Sequence, residues 1–246
     1  MRLKQAVITL LLCSTIAVNA HATDNPYLYK VSLVQAAPGK LLELIDLYKT
    51  RAAELKQAGD ETPLWMRHSQ GDHWDLMILF PVGSYAEYYK PERISKRNQA
   101  EQTAKLAGKF QEDIAWQEDV FAYGPPLADL RKAFAEGAFF HVEMFVSLPG
   151  KFAELYKERE MENTYAKALK EPENFIFVRD QGAAWDIFTI GVFRDYWEAD
   201  KFKKYMREMG VKDAWIVPFK DGVRVEIKDV LEGVVADKAE KSSGSK

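Results

Sequence analysis

Two small groups of residues carry the chemistry that this 246-residue chain can attempt. The first is the segment His68-Ser69-Gln70-Gly71-Asp72-His73-Trp74-Asp75. With Gln70-Gly71 read as a two-residue hairpin turn, His68 faces His73 and Met66 faces Asp75. Side chains so opposed lie about 5 Å apart. His68, His73 and Asp75 then form a two-histidine, one-carboxylate metal set, the donor pattern that suits a divalent transition metal. Without metal, the two histidines make a pH-sensitive pair. The second group lies on two alternating segments. Lys30, Ser32 and Val34 share one face, and His141, Glu143 and Phe145 share another. A histidine beside a carboxylate or a lysine is a general-base arrangement, so His141 with Glu143 or Lys30 is the candidate catalytic set. Ser32, Val34 and Phe145 are the candidate ligand-binding residues of the same faces.

Several chemistries are excluded. Cys13 is the only cysteine, and it sits in an amino-terminal apolar run, so the folded part of the chain is expected to carry no thiol. Disulfides, thiolate nucleophiles and cysteine metal ligands drop out with it. There is no Gly-rich phosphate loop, dinucleotide motif or nucleophile elbow. A net charge of −3, with both signs mixed, lacks the concentrated basic footprint of a nucleic-acid binder.

Residues 1–22 read as a signal peptide: Arg2 and Lys4, then the uncharged run Ala6 to Val18, then Ala20-His21-Ala22. The run is shorter than the ~20 residues that span a bilayer. The expectation is a periplasmic or secreted protein, free of the membrane after cleavage following Ala22. A lipoprotein reading of Cys13 is disfavoured by Leu12, where a small residue belongs.

The elements that position both groups come in duplicate. Shifted by 111 residues, the chain matches itself at 14 of 62 ungapped positions between 29–90 and 140–201. Pro38-Gly39-Lys40 meets Pro149-Gly150-Lys151, Gln70-Gly71 meets Gln181-Gly182, and Trp74-Asp75 meets Trp185-Asp186. A period of this size means two domain-sized units, since solenoid repeats run to ~20–50 residues. Asp75 and Asp186 recur together, which suggests a structural duty.

Each copy has one pattern. Tyr29, Val31 and Leu33 alternate with Lys30 and Ser32, and Phe140, Val142 and Met144 alternate with His141 and Glu143, so both are strands. The Pro-Gly pairs end those strands and open helices. Leu41, Leu44, Ile45, Tyr48, Ala52 and Leu55 form the apolar stripe of the first. In the second copy Tyr48 becomes Arg159 and Ala52 becomes Asn163. That change points to a buried pair with acids such as Glu143 or to a looser helix. A hairpin follows, then a helix capped by Ser84 or Asp195. A closing strand is expected at Val120 to Tyr123 and at Val230 to Val235.

The order strand, helix, strand, strand, helix, strand is the split unit of the ferredoxin-like fold, βαββαβ, an α+β architecture. Helices cover one face of such a sheet, and the tandem copy covers the other, so the two antiparallel sheets are expected to face each other as an α+β barrel. The boundaries are 23–124 for the first repeat, 125–137 for a linker, 138–236 for the second repeat and 237–246 for a disordered tail.

The chain here resembles the dimeric α+β barrel superfamily in fused form, similar to NIPSNAP proteins, antibiotic-biosynthesis monooxygenase-like domains, EthD-like proteins and, more distantly, chlorite dismutases. The resemblance rests on element order, the Pro-Gly-Lys helix starts and the Trp-Asp strands, all architectural. It implies a fold that hosts many activities. A haem site like that of chlorite dismutases needs a helical proximal histidine. His68, His73 and His141 all fall on predicted strands, so no cofactor is expected.

The all-apolar faces are expected to meet the helices, which turns Lys30, Ser32, Val34, His141, Glu143 and Phe145 into the lumen. The leading expectation is a binding protein for a small, mostly apolar ligand held there. One alternative is a cofactor-independent monooxygenase or isomerase with His141 as base. Another is a structural or partner-binding protein with a filled lumen. Duplication permits a monomer or a homodimer.

Overall fold

A computed structural model describes residues 26–228 apart from 70–71, 105, 169, 209, 211, 213–214, 217–218, 221–222 and 227. The expected signal peptide, the second closing strand at Val230 to Val235 and the tail lie outside the described residues.

The first repeat runs β1 (Tyr27–Ala36), α1 (Leu41–Gln57), β2 (Leu64–Arg67), β3 (Leu76–Gly83), α2 (Tyr85–Tyr88), α3 (Pro91–Ala104), α4 (Leu106–Asp113) and β4 (Ile114–Gly124). After α5 (Leu127–Glu136) come β5 (Phe139–Phe145), α6 (Phe152–Ala168), β6 (Phe175–Gln181), β7 (Ile187–Phe193) and α7 (Tyr196–Glu208). A two-stranded hairpin, β8 (Phe219–Lys220) and β9 (Val223–Arg224), follows. The 111-residue period survives in three dimensions: α6 begins and ends 111 residues after α1, and β6, β7 and α7 start 111 residues after β2, β3 and α2. Gly39 and Gly150 both take a positive φ, which lets the chain turn sharply from strand into helix. Ser84 caps α2 by accepting from the Glu87 amide, and Asp195 caps α7 by accepting from Trp197 and Glu198.

Seven strands make one antiparallel sheet in the order β2-β3-β1-β4-β6-β7-β5. The first four stand in the ferredoxin-like order, and β4 joins the repeats by pairing with β6. The sheet is nearly closed into a barrel.

What fills the inside corrects the expected facing. Tyr29, Val31 and Leu33 do not lie beneath α1 and α4. They pack inward with Met77, Leu79, Val120, Ala122, Phe177, Phe188 and Ile190, and Phe140, Val142 and Met144 join them. Lys30, Ser32 and Val34 turn outward, where Val34 packs with Leu44, Leu47, Tyr48, Leu76, Ile78 and Leu106 beneath α1 and α4. The physical reason is enclosure. The interior is surrounded by sheet, so it takes the most apolar face, while the helix side can pass charged side chains to solvent.

The connection between the repeats is also more than a tether. Along α5, Leu130 is fully buried, and Leu127, Ala133 and Phe134 pack against the interior cluster. Phe177 and Phe188 stack at 4.3 Å between centroids within it. Among the described residues, no helix is long and apolar enough to cross a membrane.

Candidate functional site

The outward faces of β1 and β5 occupy corresponding places in the two repeats, yet they differ in chemistry. On β1, Lys30 Nζ lies 3.2 Å from Asp119 Oδ2, and the Ser32 hydroxyl donates to Asp119 Oδ1 at 2.5 Å. Gln117 Nε2 donates to the same oxygen at 2.8 Å. Ser32 and Asp119 are cross-strand partners on β1 and β4, which sets this geometry. Burial works against ionisation of Asp119, but Lys30, Ser32 and Gln117 outweigh it and hold the carboxyl below its ordinary range. Asp119 is thus the carboxyl partner of Lys30 and Ser32, and β4, β6 and β7 stand between their strand and that of His141 in the sheet. Beside this group, Val34, Leu44, Leu47, Tyr48, Leu76 and Ile78 form an apolar cluster, with the Arg51 guanidinium 5.1 Å from the Phe110 ring at its edge.

On β5 the same layer is polar. Tyr48 of α1 corresponds to Arg159 of α6, Ser32 to Glu143, Ile78 to Thr189 and Phe80 to Gly191. Arg159 is only 9% exposed. Its guanidinium lies 4.2 Å from the centre of the Phe145 ring, and Nη2 stands 3.0 Å from Glu162 and 3.6 Å from Glu158. The Arg159 Nε is buried without a partner. Thr189, 2% exposed, sits directly opposite Glu143 across the β5–β7 ladder, and Gly191 sits opposite His141. A Cβ at Gly191 would lie 2.8 Å from Asn174 Oδ1. Asn174 is fixed by reciprocal bonds with Asn163, each of 2.8 Å.

Burial sets the protonation of this group. It pushes His141 down to about 4. It pushes Glu143 up, and the nearby Arg159 offsets this only in part. Glu162 is raised in the same way, with Glu143 and Glu158 adding to the effect. Around neutral pH the imidazole is an uncharged donor and acceptor, and two carboxyls hold their protons to higher pH than free ones do, beside one guanidinium. His141, Glu143 and Phe145 are thus brought together as predicted from sequence, but under α6 and α7 instead of in the lumen. The His141 ring packs at 4.6 Å on Phe202 of α7. A packed aromatic is what the filled alternative called for at this residue. Lys30, Ser32 and Val34 belong to the other repeat's outer face.

The hairpin group does not converge. Pairing of Leu64 with Leu79 and Arg67 with Leu76 shifts the register by two residues from the predicted one, so His68 pairs with Asp75 and its amide donates to the Asp75 carbonyl at 2.7 Å. His68 Nδ1 contacts the Trp74 carbonyl at 2.7 Å, and its ring stacks on Trp74. His73 Nδ1 contacts Asp72 at 2.6 Å, and its ring leans on Trp116. Asp75 Oδ2 accepts from the Ala36 amide at 2.8 Å. The expected metal set is corrected accordingly. Among the described residues, no group of three His, Cys, Asp or Glu is placed to hold a metal ion.

Sequence reasoning passed over Asp119, although its alternation with Gln117, Phe121 and Tyr123 marks one face of β4. Thr189 was also passed over. The signal for it was available in the repeat, since Thr189 replaces Ile78 in an otherwise apolar strand.

No protein-family model matches the chain, and no curated protein matches it in sequence. Among solved structures, it is similar to a NIPSNAP family protein of unknown function from Agrobacterium tumefaciens, at 11% identity and a TM-score of 0.34, over 41% of this chain and 90% of that one. It is also similar to a putative chlorite dismutase, at 12% identity and a TM-score of 0.43, over 84% of this chain and 99% of the other. These likenesses concern the fold alone.

Proposed function

We propose that the protein is an exported binding protein, periplasmic or secreted, whose ligand sits between sheet and helix in the second repeat, at His141, Glu143, Arg159 and Thr189. One observation carries this reading. The duplicated positions in the first repeat close with Tyr48 and Ile78 in an apolar cluster, so the fold does not require the polar set. Perturbed titratable groups that the fold does not require are candidates for function. The ligand class is a small, mostly apolar molecule bearing an acceptor oxygen. Arg159 and the neutral His141 ring supply donors, and Phe145 and Phe202 supply apolar walls. Residues 1–22 support export.

The test is native mass spectrometry of the purified chain beside the variants Arg159→Tyr and Glu143→Ser, which install the first repeat's residues. The expected result is a co-purifying small molecule lost from both variants. A wild-type chain free of ligand, or variants that keep it, overturns the reading.

A second reading is a structural or partner-binding protein. The filled interior supports it, as do the exposed apolar side chains of the second repeat, among them Leu148, Tyr165 and Trp197. The catalytic alternative, with His141 as base, has the weakest support, because Phe202 packs at 4.6 Å, tilted by 56°, against the ring that would have to reach a substrate.

A further inference from the structure

Four aromatic rings form a closed circuit on the outer surface where the repeats join. Tyr85 lies 5.3 Å from Phe121, Phe121 6.0 Å from Tyr88, Tyr88 5.1 Å from Tyr89, and Tyr89 6.2 Å from Tyr85, between centroids. Tyr85 and Tyr89 are nearly parallel, 13° apart, while Tyr88 stands at 83° to Tyr89. The rings come from α2, the residue that ends it, and β4. A carboxylate completes the group. The Tyr85 hydroxyl donates to Asp180 Oδ2 at 2.5 Å, across the seam where β4 pairs with β6. Burial, followed by Asp180, raises the Tyr85 pKa, so this hydroxyl keeps its proton and remains a donor.

The fold does not demand this arrangement. In the second repeat Tyr88 and Tyr89 correspond to Ala199 and Asp200, and α7 forms without rings at those two positions. Tyr88 and Phe121 help to hold α2 on the sheet, but Tyr89 is 55% exposed and buries little. The patch already attracts cations. The Arg97 guanidinium lies 3.9 Å from the Tyr88 centroid, anchored by donation to the Tyr88 carbonyl, and Arg93 lies 5.7 Å from the same ring.

We propose that Tyr85, Tyr88, Tyr89 and Phe121, with Asp180, bind an organic ammonium cation, of the quaternary or methylated class. Ring faces carry the negative lobe of their quadrupole, and four contiguous rings in one patch attract a cation whose methyl groups make it cheap to desolvate. Asp180 supplies the opposite full charge at the edge of the group. A primary ammonium, with its tighter hydration, fits less well. This site is independent of the one in the second repeat.

The experiment titrates the full chain with choline and with its uncharged isostere 3,3-dimethylbutan-1-ol, following tyrosine fluorescence and NMR shifts. Choline is expected to bind about tenfold or more tightly than the isostere, since cation–π attraction in a partly desolvated site is worth about 1–2 kcal/mol. Tyr89→Leu and Asp180→Asn are each expected to weaken choline about fivefold or more. Tyr196→Leu, at the duplicated position, should leave it unchanged. Tyr89 is exposed, so its variant is expected to keep the wild-type circular dichroism. Equal binding of choline and the isostere, undiminished binding by a folded Tyr89→Leu, or no binding of choline at all would each overturn the proposal.

Discussion

Asp75 and Asp186, 111 residues apart, make the same hydrogen bond: each Oδ2 accepts a backbone amide at 2.8 Å, from Ala36 in one case and Ser147 in the other. The surrounding backbone repeats too. The Asp75 amide donates to the Val34 carbonyl, and the Asp186 amide donates to that of Phe145. Each aspartate thus ties the end of the first strand of its repeat to the start of the third, where the chain leaves the sheet for its helix. Asp75→Ala and Asp186→Ala should each destabilise the protein by about 1–3 kcal/mol, the cost of an amide deprived of its acceptor. Asp186 should cost more, because it also accepts from the Ser147 hydroxyl at 2.7 Å and from Arg179 at 2.6 Å. Urea unfolding of both variants measures the difference. If neither change alters stability, the recurrence has no structural meaning.

Asp186 adds a pH dependence. The Ser147 hydroxyl, then Arg179, hold its carboxyl below the usual range. A lowered folded-state pKa means stability that is present above the unfolded value and lost as pH falls through the folded one. Asp186→Ala should therefore flatten the acid side of the stability curve, as read by melting temperature between neutral pH and about 3. An acid limb as steep as that of the wild type would contradict the assignment.

The duplication was the part of the fold most open to sequence reading, because turn residues and the Trp-Asp pair keep their spacing whatever surrounds them. The facing of the strands was not. Tyr29, Val31 and Leu33 announce a buried face, but apolar character alone cannot say whether sheet or helix does the burying, and here sheet encloses them. The hairpin register failed for a related reason. Gln181-Gly182 looks like a two-residue turn, yet Val178 pairs with Ile187 and the Arg179 amide donates to the Asp186 carbonyl, two residues out of register with such a turn. The grouping of His141 with Glu143 survived, since period two holds on either face of a sheet. Arg159 as their companion was visible only by setting one repeat against the other.

Among the described glycines, Gly124 is the one whose added Cβ would meet the closest neighbour. A Cβ there would stand 2.4 and 2.5 Å from carbons of the Phe177 ring, which is fully buried against Tyr29 and Phe188. Gly124→Ala should destabilise by about 1–3 kcal/mol, the usual cost of overpacking. Gly150→Ala makes an instructive contrast: its Cβ would meet nothing within 4 Å, but its φ of +75° makes the change costly through the backbone. Pairing Gly124→Ala with Phe177→Leu should recover part of the loss if the clash is with the ring. No recovery would place the strain elsewhere.

Metal should do nothing for this protein at its first hairpin. His68 and His73 use Nδ1 on the Trp74 carbonyl and Asp72, and Asp75 uses Oδ2 on the Ala36 amide. A bound divalent ion would have to gather three groups that the described residues do not place together. Zinc or nickel in modest excess should leave the melting temperature unchanged, since a ligand that binds only the folded state would raise it. Metal analysis after dialysis should find no stoichiometric ion. A melting temperature raised by zinc and restored by chelation would reinstate the site.

His141 gives the second repeat its own pH signature. Burial holds its pKa at about 4, below the 6.5 of a free imidazole. Between those values the unfolded chain binds the proton and the folded one does not, so stability rises with pH through that window and the penalty is complete below it. Full expression of such a shift amounts to about 3 kcal/mol at most. Glu143 acts in the opposite direction. Its raised pKa means that stability is greatest below the unfolded value and falls as pH rises through the folded one. His141→Leu should therefore remove the rise in melting temperature between about pH 4 and 6.5, and Glu143→Gln should leave that rise in place. Nuclear magnetic resonance gives the direct check, through the ring protons of His141. Titration near 6.5 in the folded protein would show the ring to be open to water, and the polar layer beneath α6 and α7 would lose its claim to be a buried site.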